Sequence, residues 1–154
     1  MEGTAIGWAA ETMTPAALSL LDDLIREMDE AKQRGDRARY VPANRAFQFA
    51  IYRASGSDAL MAIIASLWLQ IGPFFNLLGA SDAWGASNEH HRVMRSAIAA
   101  RDPAGARLAL RRDIDDAAMM LRKVPRRPAP QRRRPVGPRR AVERVRAEAR
   151  QYPG

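Results

Sequence analysis

Apolar residues recur every three to four positions along the first 122 residues, which is the spacing of one helix face. In TPAALSLLDDLIREMDEAKQRGD, Leu18, Leu21, Ile25 and Met28 form such a stripe. Thr14 is placed to cap this helix, Pro15 suits its first position, and Gly35 is a natural stop. A second helix is predicted over about 43–54, after Pro42 and before Gly56, with Phe47 and Ile51 facing inward. A third spans about 57–78 and is expected to kink at Gly72-Pro73. Residues 79–87 read as a loop. A fourth helix runs over about 87–100, with Met94 and Ile98 inward. Asp102-Pro103 then supplies a cap and a first-position proline for a fifth helix, which reaches about Arg122. Its stripe is Ala106, Leu110, Ala117 and Leu121. No segment alternates as a strand does, and no internal repeat is evident. The pattern predicts an all-α, antiparallel helical bundle with short connections.

Polar residues interrupt three of these stripes. Asn44 and Gln48 share the face of Phe47 and Ile51 at i, i+4 spacing. His91 lies one turn before Met94 and Ile98, while its neighbour His90 points roughly a hundred degrees away. Asp113 falls within the stripe of the fifth helix, and Asp115 and Asp116 fall mostly off it. A lone buried carboxylate is costly unless it is paired or bound to a cation. Asn44, Gln48, His91 and Asp113 would together make a polar chamber inside the bundle, where helical proteins build metal and small-molecule sites. Two plainer arrangements stay open: Asp113 paired with Arg112 or Arg95, and His91 as a hydrogen-bonded core histidine.

Charge changes the picture at one end only. The net charge is +8. The last 32 residues carry one Lys and ten Arg against Glu143 and Glu148, a net +9, which leaves −1 for residues 1–122. That segment, 123–154, also holds six of the ten prolines, so it reads as an Arg/Pro-rich disordered tail. Clustered arginines can neutralise phosphates, so an alternative function is nonspecific nucleic-acid binding through this tail. Only Tyr152 is available there for base stacking.

With no cysteine in the chain, disulfides, thiolate metal sites and cysteine nucleophiles are excluded. The N-terminus has no basic stretch typical of a secretory signal. The longest apolar run is interrupted by Ser66, Gln70, Gly72 and Pro73, and reads as a buried helix rather than a membrane span. A cytoplasmic protein is expected. There is no nucleophile–base pair, Gly-rich phosphate loop or HExxH motif, so the chain does not read as an enzyme.

NRAFQFAIYRASGSDALMAIIASLWLQIGPFFNLL, followed by HHRVMRSAIAARDPAGARLALRRDIDDAAMML, resembles the FCD domain. This is the C-terminal effector-binding domain of the FadR branch of GntR-type transcription regulators. The resemblance covers about residues 8–122. It implies a helical bundle that binds a small metabolite, commonly a carboxylate, and forms a homodimer or a heterodimer with a related regulator. In many such domains an Asp and three His hold a divalent metal such as zinc, nickel or manganese. Carried over by position, the Asp falls on Asn44 and the histidines on Gln48, His91 and Asp113. Asn44, His91 and Asp113 are then the candidate metal ligands, with Gln48 standing where the family has a histidine. Gln70 lies where a polar side chain often faces the ligand, which completes a candidate set of Asn44, Gln48, Gln70, His91 and Asp113. Trp68, Phe74 and Phe75 are expected in the core. The family's DNA-reading winged helix-turn-helix is expected to be missing from this chain, leaving an N-terminally truncated effector domain over 1–122. DNA contact would then come only through that missing domain or nonspecifically through the tail.

Overall fold

A computed structural model describes residues 1–78 and 87–123 of the chain. They form six helices: α1 (Glu2–Thr12), α2 (Pro15–Gln33), α3 (Arg37–Ala54), α4 (Asp58–Leu78), α5 (Ser87–Ala99) and α6 (Pro103–Lys123). No strand occurs among the described residues. The all-α bundle is therefore as the pattern predicts, with one helix more. In α1, Ala5, Ile6, Gly7, Ala9 and Ala10 are all buried. Its exposed face carries Thr4, Trp8, Glu11 and Thr12, and apart from Ile6 its buried face is built of alanine and glycine, so no strong apolar stripe marks it.

The start of α3 is the other correction. The helix begins at Arg37, six residues before the predicted boundary, and carries Pro42 inside it. Pro42 offers no N–H to the Ala38 carbonyl, which would ordinarily count against a helix there. The turn that precedes Pro42 is held by a cap, by ion pairs to α2 and by burial. The Arg39 backbone N–H donates to the Asp36 carboxylate at 3.0 Å. The Arg39 guanidinium reaches Glu27 at 3.1 Å and Glu30 at 3.2 Å on α2. Tyr40 is buried.

Local sequence sets the sharp joints. Thr14 Oγ1 accepts from the Ala17 N–H ahead of Pro15, a cap that contributes about 1 kcal/mol. After α2, Gly35 adopts φ 65°, Asp36 N–H bonds back to Ala31 O and Gly35 N–H to Lys32 O. This is the helix-ending motif that favours glycine. Asp36 then caps α3, so one residue closes a helix and opens the next. The α5–α6 joint repeats the device with Arg101 at φ 56° in the glycine position. Asp102 N–H bonds to Ala97 O, and the Asp102 carboxylate caps α6 through Ala104 and Gly105 N–H. Arg101 offsets its unfavourable backbone by donating to the Ala10 and Glu11 carbonyls at the end of α1. A cation at a helix C-terminus is well placed against the helix dipole.

α2–α3 and α5–α6 thus form two helical hairpins. α1 packs against α3, α5 and α6, and α4 lies on α3 and α6. Arg92–Asp29 and Arg95–Asp22 join α5 to α2 in antiparallel register. Arg107 of α6 donating to Gly3 O, and Arg101 of the α5–α6 joint to Ala10 O, run α6 antiparallel to α1. The core holds Leu21, Ile25, Met28, Phe47, Ile51, Met94, Ile98, Ala106 and Leu110, as the stripes predict, together with the missed α1 residues. α4 is helical through Gly72-Pro73. The side chains of Phe74, Phe75 and Leu121 lie outside the described residues, as do residues 79–86 of the loop expected at 79–87 and the Arg/Pro-rich segment from 124 onward; Ser87 itself opens α5.

Candidate functional site

Each helix stripe that carried a polar residue delivers it to one region of the bundle. His91 is fully buried, with its ring tilted against Phe47 at 4.7 Å between centroids. Gln48 is 3% exposed. Its Nε2 donates to Asp113 Oδ2 at 3.2 Å, and the same carboxylate oxygen lies 3.9 Å from His91 Nε2. Gln48, His91 and Asp113 therefore meet, from α3, α5 and α6. Asn44 lies one turn before Gln48, and its Oδ1 is buried with no hydrogen-bond partner among the described residues. Gln70 is exposed on α4, apart from this cluster. Its place in the candidate set came from the resemblance, not from an apolar stripe. Of the two plainer arrangements, the Arg95 guanidinium reaches Asp22 at 2.6 Å instead of Asp113. His91 is indeed a hydrogen-bonded core histidine, and it also touches the polar cluster.

Five further residues extend the cluster into a relay; sequence reasoning missed Asn88, Asp29, Tyr52 and Glu2, and expected Trp68 only as a core residue. Asn88 is 2% exposed. Its Nδ2 donates to Asp29 Oδ1 at 2.6 Å, which turns its Oδ1 toward His91 Nδ1 at 3.1 Å. On the far side, the Tyr52 hydroxyl lies 3.1 Å from Gln48 Oε1 and 3.1 Å from Glu2 Oε1. Trp68 Nε1 donates to that Glu2 oxygen at 2.7 Å. The chain of contacts runs Asp29–Asn88–His91–Asp113–Gln48–Tyr52–Glu2–Trp68 and touches all six helices. Asn88 and Tyr52 had a usable signal: each sits one turn from a polar residue already on an apolar face. Asp29 and Glu2 had none, because acidic residues near helix ends are ordinarily solvated.

Charge states follow from this geometry. Asp29 is acceptor-only, so Asn88 must present its oxygen to His91. His91 then carries its proton on Nδ1 and turns an unprotonated Nε2 toward Asp113. Burial, reinforced by His90 and Arg92, lowers the His91 pKa to about 3, so the ring is neutral at neutral pH. Burial also raises the Tyr52 pKa well above its usual value, with Glu2 adding to the effect, so the hydroxyl keeps its proton. His90 points away from this cluster, as its register predicts. It is partly exposed and pairs at 2.8 Å with Asp116, which is partly buried rather than clear of the interface.

The donor set does not fit a divalent metal. Among the described residues no three His, Cys, Asp or Glu converge on one point. His91 and Asp113 are two strong donors, and Asn44 and Gln48 add only amides. Gln48 directs its NH2, which cannot ligate a cation, at Asp113.

Comparison with known proteins places this architecture. A family model described as FCD domain matches residues 1–116. The HTH-type transcriptional regulator McbR of Escherichia coli (strain K12) is 30% identical over 113 residues, which are 71% of this chain and 51% of that protein. The chain thus spans about half the length of this curated relative. The solved structure of E. coli McbR/YncC superposes with a TM-score of 0.72 at 28% identity, covering 79% of this chain and 62% of that one. No described helix is long and apolar enough to cross a membrane. The family match covers most of the chain and agrees with the six-helix bundle, so the chain belongs to the FCD domain family.

Proposed function

We propose that this domain senses a small metabolite for a transcription regulator of the GntR/FadR type, in the cytoplasm, and that it is a sensor rather than an enzyme. The observation that carries the reading is the buried polar relay, with the unpartnered Asn44 oxygen beside it. Folding does not conserve such a group cheaply, since a buried acceptor without a partner costs about 1–3 kcal/mol. A ligand hydrogen-bonding there would recover that cost. The effector class that the family resemblance favours is an organic acid, with Asn44, Gln48, His91 and Asp113 as the contacting residues. Effector binding would bias the packing of the helices that the relay joins, and so the geometry passed to a DNA-reading domain. The Arg-rich segment has no part in this reading.

The test is a thermal-shift screen of organic acids, with amines and sugars alongside. A ligand at a hundred times its Kd contributes about 2.7 kcal/mol, which is several degrees for a domain of this size. Asn44→Ala removes the unpartnered oxygen, and the relief of its cost offsets the packing lost, so the unliganded midpoint should not fall while the ligand-induced rise is abolished. A stabilising ligand whose effect persists in Asn44→Ala would place binding elsewhere.

We also propose that the domain pairs with a second copy, or with a related regulator, through α4. Ile63, Leu67 and Ile71 recur at i, i+4, i+8 and are each exposed by more than two-fifths. Single exposed apolar residues are ordinary, but a continuous row on one helix is suited to an interface. Leu67→Glu should convert a dimer to a monomer in sedimentation without unfolding it. An unchanged oligomeric state would exclude this face.

A further inference from the structure

We infer that Gln48 fills by hydrogen bonding the position a divalent cation would need between α3, α5 and α6, so that this domain works without a metal and Gln48 is the residue that decides it. The inference rests on the reading of the buried cluster as the ligand site. Its test uses metal ions alone, so its failure leaves the effector screen above untouched.

The amide is held from both ends. Its NH2 donates to Asp113 Oδ2 at 3.2 Å, and its carbonyl oxygen lies 3.1 Å from the Tyr52 hydroxyl. A carboxylate only accepts, so the NH2 end must face Asp113. Turning the amide over would set carbonyl oxygen against carboxylate and give up the bond to Asp113. Tyr52 has a single hydroxyl proton, shared between the Gln48 carbonyl and Glu2 Oε1 at 3.1 Å, and Glu2 also accepts from Trp68 at 2.7 Å. A cation bound between His91 Nε2 and Asp113 Oδ2 would compete with the Gln48 NH2 for that oxygen. It would gain no ligand from Gln48, whose oxygen points the other way. The site is also nine-tenths or more buried at both Gln48 and His91, so water is poorly placed to complete a coordination shell.

Gln48 also does what a cation would do in joining the helices. It ties α3 to α6 through Asp113, and through Tyr52 to α1. A histidine at the same position would bring a third strong nitrogen or oxygen donor beside His91 and Asp113, the minimum a tightly held zinc or nickel ion takes from protein.

The experiment uses the full chain, stripped with chelator and dialysed. Metal content and melting temperature are measured with Zn2+, Ni2+ or Mn2+ for the wild type and for Gln48→His. The wild type should retain far less than one metal per chain and shift by under about 1 °C. Gln48→His should gain a saturable rise of several degrees with zinc or nickel, near one metal per chain, and lose it in Gln48→His combined with His91→Ala. Gln48→Glu, which supplies a carboxylate in place of the amide, should gain a response of the same sign and keeps the test open if the histidine variant does not fold. A wild-type chain that holds about one metal, lost in His91→Ala, would overturn the inference. So would a folded Gln48→His or Gln48→Glu that gains no response.

Discussion

Phe47→Ala is expected to lower the unfolding free energy by about 3–5 kcal/mol, the range for removing a fully buried aromatic ring. Phe47 has no exposed surface and sits at the centre of α3, between the apolar core and the His91 ring. Two losses add in this variant. The ring's own burial is forfeited, and a void opens beside a histidine held neutral by its dry surroundings. Phe47→Leu keeps most of the apolar volume and should cost well under half as much. Urea denaturation of the wild type and both variants would measure this. Equal, small losses in both would mean that the α3 face repacks and that Phe47 does not support His91.

Acidification should weaken the fold through His91. The sign is set by where the proton binds more readily. The unfolded chain takes up a proton on this ring near the ordinary value of about 6.5, whereas the folded chain does so only near 3. The neutral ring therefore contributes fully above about pH 6.5, and its contribution is lost as pH falls from there toward 3. The slope is about 1.4 kcal/mol per pH unit, so moving from pH 7 to pH 5 should cost about 2 kcal/mol. That interval lies mostly above the usual carboxylate range, which separates the effect from general acid unfolding. Denaturant midpoints at pH 7 and pH 5 would test it, with His91→Asn as the comparison that lacks the titrating ring. A wild type equally stable at both pH values would show that the folded chain accepts this proton without penalty.

The helix joints were legible residue by residue. Thr14-Pro15, Gly35 and Asp102-Pro103 act within a turn of their own position, through one side-chain oxygen or one permitted φ angle. The stripes were equally local, because a helix repeats every 3.6 residues and Leu21, Ile25 and Met28 must share a face wherever that helix packs. Two errors had the same origin in neighbours distant along the chain. Pro42 looked like a barrier until Arg39 found Glu27 and Glu30 on α2. α1 looked unremarkable until α3, α5 and α6 were available to pack against its small residues.

The site divides along the same line. Periodicity alone put Gln48, His91 and Asp113 on inward faces, since one side of a helix cannot turn away from the core without taking the rest with it. The direction of the Gln48 amide could not be read there, because it depends on Asp113 from one side and Tyr52 from the other, 65 and four residues away. The histidine tautomer is likewise set by Asn88, and Asn88 by Asp29 on a different helix. Side-chain type and helical register belong to the chain as written. Which lone pair faces which proton is a property of groups brought together from separate helices, and only their packing settles it.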